Sequence, residues 1–130
     1  MTGGIPKLRI RPRILVIDDN EILARSFVRM LRNYDACVES DPRRALARIH
    51  AGEEFALVMC DLKMPGLSGL EVLADLRTCF AGRAGMPQMI MMSGSDELSE
   101  EDLGTPVLAK PCSATELRSL VTRLLEPALS

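Results

Sequence analysis

Four short, almost wholly apolar runs each stop at a residue that can do chemistry. The run 14–17 is followed by Asp18 and Asp19, the run from Phe55 to Cys60 by Asp61, the run 89–92 by Ser93, and the run 107–109 by Lys110. Segments this short and this apolar suit strands buried on both faces of a parallel sheet, where no solvent face imposes alternation. Ala36-Cys37-Val38 adds a weaker, edge-like strand.

The stretches between these runs carry a helical period. Leu23, Phe27, Met30 and Leu31 share a face, as do Ala45, Leu46 and Ile49, then Leu70, Leu73, Leu76 and Phe80. The last is the clearest, with Leu117, Leu120, Val121, Leu124 and Leu125 at helical spacing. Asp41-Pro42 reads as an N-cap followed by proline at the first helical position. Ser68 with Glu71, and Ser113 with Glu116, read as capping boxes, and Gly52 as a helix stop. Between Ser93 and Val107 only 97–103 could coil, for about two turns. Strand–helix alternation of this kind predicts an α/β domain whose right-handed crossovers put helices on both faces of the sheet.

The chain of 130 residues is long enough for one domain with its own core. Residues 13–127 are expected to form it, behind a mobile leader at 1–12. Lys7, Arg9, Arg11 and Arg13 read as a solvated basic tail, since the net charge is −2 and no nucleic-acid footprint builds up elsewhere. Aromatic residues make up 3% of the chain, too few for a base-stacking surface. No apolar run has membrane-spanning length, and no signal-peptide core is present at the start. Cys37, Cys60, Cys79 and Cys112 lack C-x-x-C spacing and read as reduced thiols of a cytoplasmic protein. His50, the single histidine, reads as a surface residue.

Parallel strands point their carboxyl ends one way, and ligands of open α/β sheets bind outside those ends. The fold therefore gathers three carboxylates, one hydroxyl and one ammonium at one edge. Taken singly, Asp18 and Asp19 could cap a helix, Asp61 and Ser93 could be turn residues, and Lys110 could lie on the surface. Their shared position at strand ends favours a site. Clustered carboxylates repel unless a cation intervenes, and Mg²⁺ suits carboxylates, waters and a phosphate together. Lysine supplies a point charge for phosphate oxygens, and one carboxylate could act as a nucleophile forming an acyl phosphate.

These residues resemble the receiver domain of two-component response regulators. The motifs are I-L-V-I-D-D-N at 14–20, C-D-L-K-M-P-G-L-S-G at 60–69, M-M-S-G at 91–94 and L-A-K-P at 108–111. The resemblance spans residues 13–126. It implies a flavodoxin-like (βα)5 doubly wound parallel sheet of strand order 2-1-3-4-5, here with a shortened fourth helix. It implies Asp61 as phosphoacceptor, Asp19 as a direct Mg²⁺ ligand, Asp18 holding a metal-bound water, and the Lys63 backbone carbonyl as a further ligand. It also implies Ser93 as the switch hydroxyl and Lys110 as the phosphate-pairing lysine, in a cis bond to Pro111. The implied phosphodonor is a histidine kinase or histidine phosphotransfer protein. The implied output is a downstream protein or a covalently linked domain; the charge balance and the lack of a long apolar run predict no direct nucleic-acid or membrane contact.

The chain departs from the family pattern at two residues and along one segment. Val107 stands where many receivers carry Tyr or Phe, and a β-branched valine cannot swing as a ring does. Cys112 stands where an aromatic often follows Lys-Pro. The segment from Ser93 to Lys110 is short and acidic, with Asp96, Glu97, Glu100, Glu101 and Asp102, and is similar to receivers attached to hybrid histidine kinases. Three rivals compete: an aspartyl-phosphate hydrolase, a flavodoxin-like FMN carrier, and a pseudo-receiver serving only to bind a partner. Adjacent Asp18 and Asp19 oppose the first, the Asp-Asp-Asn sequence and the few aromatics oppose the second, and the complete acidic set opposes the third.

Overall fold

The computed structural model describes residues 11–94 and 98–126. The expected leader therefore lies outside the described residues except for Arg11 and Pro12, as does the last residue of the expected domain. Strands β1 (Arg13–Ile17), β2 (Asp35–Glu39), β3 (Leu57–Asp61), β4 (Gln88–Ser93) and β5 (Val107–Ala109) alternate with helices α1 (Glu21–Met30), α2 (Pro42–His50), α3 (Gly69–Cys79), α4 (Glu100–Leu103) and α5 (Ala114–Leu125). All four strand pairings are parallel, and the sheet order is β2-β1-β3-β4-β5.

Strand alternation divides the core into two apolar layers. Leu15, Ile17, Val58, Cys60, Met89 and Met91 face α2, α3 and α4. Ile14, Val16, Leu57, Met59, Ile90, Met92 and Leu108 face α1 and α5. Both sides of β1, β3 and β4 are covered, which is why their sequences are continuously apolar. The edge strand β2 is only partly buried and carries Asp35 and Glu39 at its ends, so its apolar run is short.

Helix starts follow local chemistry. Asn20 caps α1 by accepting the Leu23 N–H at 3.1 Å, so neither Asp18 nor Asp19 is used as that cap. Asp41 caps α2 with Pro42 at its first position, and Ser68–Glu71 and Ser113–Glu116 form reciprocal capping boxes. Gly52 follows the end of α2 with φ +103°, a conformation that glycine adopts without steric cost.

Three expectations need correction. Arg13 is not part of a solvated tail: it opens β1 and is half-buried, with Nη2 2.9 Å from Glu53 Oε2 and Nε 3.6 Å from Asp35 Oδ2. Phe55 lies before β3, not in it; its ring is buried with the Arg13 guanidinium 4.7 Å from its centroid. The fourth helix is a single turn, four residues long, and starts at Glu100 behind a Ser99–Asp102 capping box. Asp96 and Glu97, assigned to that acidic stretch, lie outside the described residues.

Candidate functional site

The carboxyl ends of β1, β3, β4 and β5 bring the expected residues together. Asp18 and Asp19 leave β1, Asp61 and Ser93 are the last residues of β3 and β4, and Lys110 follows β5. Asp61 and Ser93 thus belong to the strands themselves, where ladder pairing holds their backbones, instead of to the loops beyond. Ser93 is paired with Ala109, and its carbonyl accepts the Lys110 N–H at 2.8 Å. The hydroxyl-bearing and ammonium-bearing residues are therefore fixed to one another through the backbone.

Each of Asp18, Asp19 and Asp61 offers one carboxylate oxygen, and these oxygens lie within 4.8 Å of one another. Asp18 is fully buried, Asp61 is 7% exposed, and Asp19 is open to solvent. The Lys110 ammonium stands 3.1 Å from Asp61 Oδ2 and 3.5 Å from Asp18 Oδ2. Its single positive charge faces two buried carboxylates, with a third beside them.

Burial raises the Asp18 carboxyl above the usual carboxylate range, and the charges of Asp61 and Asp19 push the same way. The Asn20 N–H, 2.9 Å from Asp18 Oδ1, and the Lys110 ammonium oppose that rise. Asp18 Oδ2 is buried without a hydrogen-bond partner. A buried carboxylate oxygen with unused lone pairs, beside two further carboxylate oxygens, is the donor set of a hard divalent cation. Mg²⁺ fits these residues on that ground.

The loop after β3 is tightly built. The Lys63 N–H lies 3.4 Å from Asp61 Oδ1, and the Gly69 N–H donates to the Leu62 carbonyl at 3.1 Å. Gly66 adopts φ +84°, which a turn after Pro65 permits at low cost only to glycine. The Lys110–Pro111 bond is cis. Val107 is half-buried against the layer containing Cys60, Leu62 and Met91. Cys112 is half-buried on the opposite layer. His50 is exposed, as expected, with Nε2 2.7 Å from Asp75 Oδ1 on α3.

Sequence reasoning missed Asn20 and the packing role of Gly69. Asn20 carries a detectable signal, an Asn directly before a helical period. The demand on Gly69 arises from close approach to β3, which sequence spacing does not reveal.

Residues 14–122 match the family model described as the response regulator receiver domain. The sensory transduction protein RegX3 of Mycobacterium tuberculosis is 32% identical over 120 residues, covering 86% of this chain and 50% of that protein. The DNA-binding response regulator MtrA of Mycobacterium leprae is 31% identical over 114 residues, covering 83% and 48%. The chain thus spans about half the length of these curated relatives. Among solved structures, the signal receiver domain of a putative Luxo repressor protein from Vibrio parahaemolyticus superposes with a TM-score of 0.78 at 27% identity, covering 92% of this chain and 93% of that one. The response regulator protein TrrA from Thermotoga maritima, in complex with Mg(2+)-BeF, gives a TM-score of 0.74 at 27% identity, covering 88% and 99%. Among the described residues no helix is long and apolar enough to cross a membrane.

Proposed function

Because the chain belongs to the response regulator receiver domain family of two-component signalling, we propose that it accepts a phosphoryl group on Asp61 from a phosphohistidine of a partner kinase or phosphotransfer protein. The observation that carries this reading is the placement of Lys110 Nζ at 3.1 Å from Asp61 Oδ2, with the Asp18 and Asp19 carboxylates beside it. Asp61 Oδ forms the new bond to phosphorus while the bond from phosphorus to the imidazole nitrogen breaks, and the departing imidazole takes up a proton. Lys110 pairs with a phosphoryl oxygen as charge builds there. Asp18, Asp19 and Asp61, with the Lys63 carbonyl, would hold Mg²⁺, which when bound supplies positive charge to the phosphoryl oxygens.

Strand β3 fixes the backbone of Asp61, and the buried position of its side chain limits competing water. The product carries new charge and new acceptor oxygens, toward which the Ser93 hydroxyl is proposed to turn as the switch. Residues 13–127 are the proposed receiver unit and residues 1–12 its leader. The chain passes its signal to a downstream protein or a covalently linked output, and we place this exchange in the cytoplasm.

Intact-mass measurement after incubation with Mg²⁺ and a small phosphodonor tests the reading. One added phosphoryl group is expected, lost in Asp61→Asn and when metal is chelated. A folded chain that gains no mass with any donor, a cognate kinase included, would instead be a pseudo-receiver.

A further inference from the structure

Helix α2 begins just beyond β2, at the same edge of the sheet as the acidic pocket. Its first turn holds no acidic residue and two arginines, Arg43 and Arg44. Free N–H groups make a helix start positive, so the helix itself opposes cations there. Arg44 is compensated, with Nε 3.5 Å from Asp41 Oδ2. Arg43 is not. Its backbone N–H donates to Asp41 Oδ1 at 2.9 Å, but among the described residues no carboxylate pairs with its guanidinium and no hydrogen bond leaves it.

The guanidinium lies instead over the loop that follows Asp61. A Cβ on Gly66 would stand 3.4 Å from Arg43 Nη1 and 3.9 Å from Cζ and Nη2. That loop closes back on its own start, since the Gly69 N–H donates to the Leu62 carbonyl at 3.1 Å. An exposed, unpaired cation is thus held at the rim of the pocket. The pocket itself is short of positive charge, because Asp18, Asp19 and Asp61 face the one ammonium of Lys110. Mg²⁺ would bring these groups only to neutrality, with no net attraction for an arriving phosphoryl dianion.

We propose that Arg43 sets the chain's preference among phosphodonors: it draws a doubly charged phosphoryl group to the mouth of the pocket and so favours dianionic over singly charged small donors. This rests on the phosphoacceptor reading above. Arg43 acts on the encounter and leaves bond making at Asp61 unchanged. Its pull scales with the charge of the donor and fades with salt. The same cation opposes Mg²⁺ at the neighbouring carboxylates, so its loss helps the metal while hindering the donor. That opposition of sign separates a charge effect from mechanical support of the loop, whose loss would harm both.

The test measures second-order phosphorylation rates by intact mass at saturating Mg²⁺, for the full chain, Arg43→Ala, Arg43→Lys and Arg43→Glu, with melting temperatures recorded for each. The donors are acetyl phosphate, doubly charged at neutral pH, and phosphoramidate, singly charged there. At low ionic strength Arg43→Ala should be about 2- to 3-fold slower with acetyl phosphate and Arg43→Glu about 4- to 9-fold slower. Both losses should shrink with phosphoramidate and vanish in about 1 M salt. Arg43→Lys should keep the rate of the unaltered chain, and calorimetry should show tighter Mg²⁺ binding by Arg43→Glu. Equal rates across the variants, an equal loss with both donors, or weaker Mg²⁺ binding by a folded Arg43→Glu overturns the proposal and leaves the phosphoacceptor reading in place. Failure of the unaltered chain to gain a phosphoryl group from either donor or from a cognate kinase overturns both.

Discussion

Gly69 lies directly against the carbonyl oxygen of Asp61, closer than a methyl group can approach. A Cβ there would also meet Leu62 Cα and Met91 Cε at 2.9 Å. Two of these three neighbours are backbone and cannot swing aside. Gly69→Ala is therefore expected to lower stability by about 1–3 kcal/mol and to displace the end of β3. Thermal melting checks the first effect, and a reduced yield of phosphorylated chain in the mass assay checks the second.

Asp18 is costly in the absence of metal. Its carboxyl is raised by burial, so the folded chain holds a proton more tightly than the unfolded one; stability falls as pH rises above the ordinary carboxylate value of 3.8. Asp18→Asn removes the buried charge and keeps an acceptor for the Asn20 N–H. In chelator at neutral pH the variant should be more stable than the unaltered chain, by about 1 kcal/mol. Saturating Mg²⁺ should erase that advantage, because it stabilises only the chain that binds it. A variant less stable than the unaltered chain in chelator would show that Lys110 already compensates Asp18.

Glu53 provides the opposite sign. Hydrogen bonds from Arg48 and then Arg13 hold its carboxyl at about 2, below its ordinary 4.5. Arg48 Nη2 lies 2.6 Å from Oε2 and Arg13 Nη2 lies 2.9 Å from the same oxygen. The stabilisation is complete above the ordinary value and is lost as pH falls from 4.5 toward 2. Glu53→Gln should cost about 1 kcal/mol at neutral pH, a figure discounted for partial exposure. The gap between the two melting temperatures should narrow through that acidic window.

Thr105→Val tests the buried tie beside α4. The change keeps shape but leaves the Met89 carbonyl without its 2.9 Å donor. A loss of about 1–2 kcal/mol is expected in chemical denaturation. An unchanged midpoint would mean that another donor replaces the hydroxyl.

Much of this architecture is legible in the chain because one physical rule covers it. Strands buried on both faces must be apolar throughout, so β1, β3 and β4 announce themselves, and the polar residue that ends each run marks the site edge; β5, the other edge strand, with Ala109 exposed, shows only as a three-residue apolar run before Lys110. Where burial is partial the signal weakens. Edge strand β2 shows as Ala36-Cys37-Val38 without its charged ends. Phe55 is as apolar as the strand it precedes, so nothing local separates them, and its burial beneath Arg13 is a tertiary fact. The Ser99–Asp102 box is harder to read than the others because Asp, not Glu or Gln, stands at its third position. Arg77 of α3 reaches the Leu103 carbonyl far along the chain, a pairing that no periodicity encodes. The convergence of Asp18, Asp19, Asp61, Ser93 and Lys110 at one sheet edge is legible from their shared position at strand ends, while the unequal burial of Asp18 and Asp19 is not.

The division of the core into two layers has an evolutionary consequence. Neighbouring residues on one strand, such as Met59 and Cys60, serve opposite sides. Drift in the residues beneath α2, α3 and α4 leaves the layer beneath α1 and α5 untouched. A lineage can thus repack one face of the sheet while keeping the other, with the backbone of the shared strands as the frame both layers are built on.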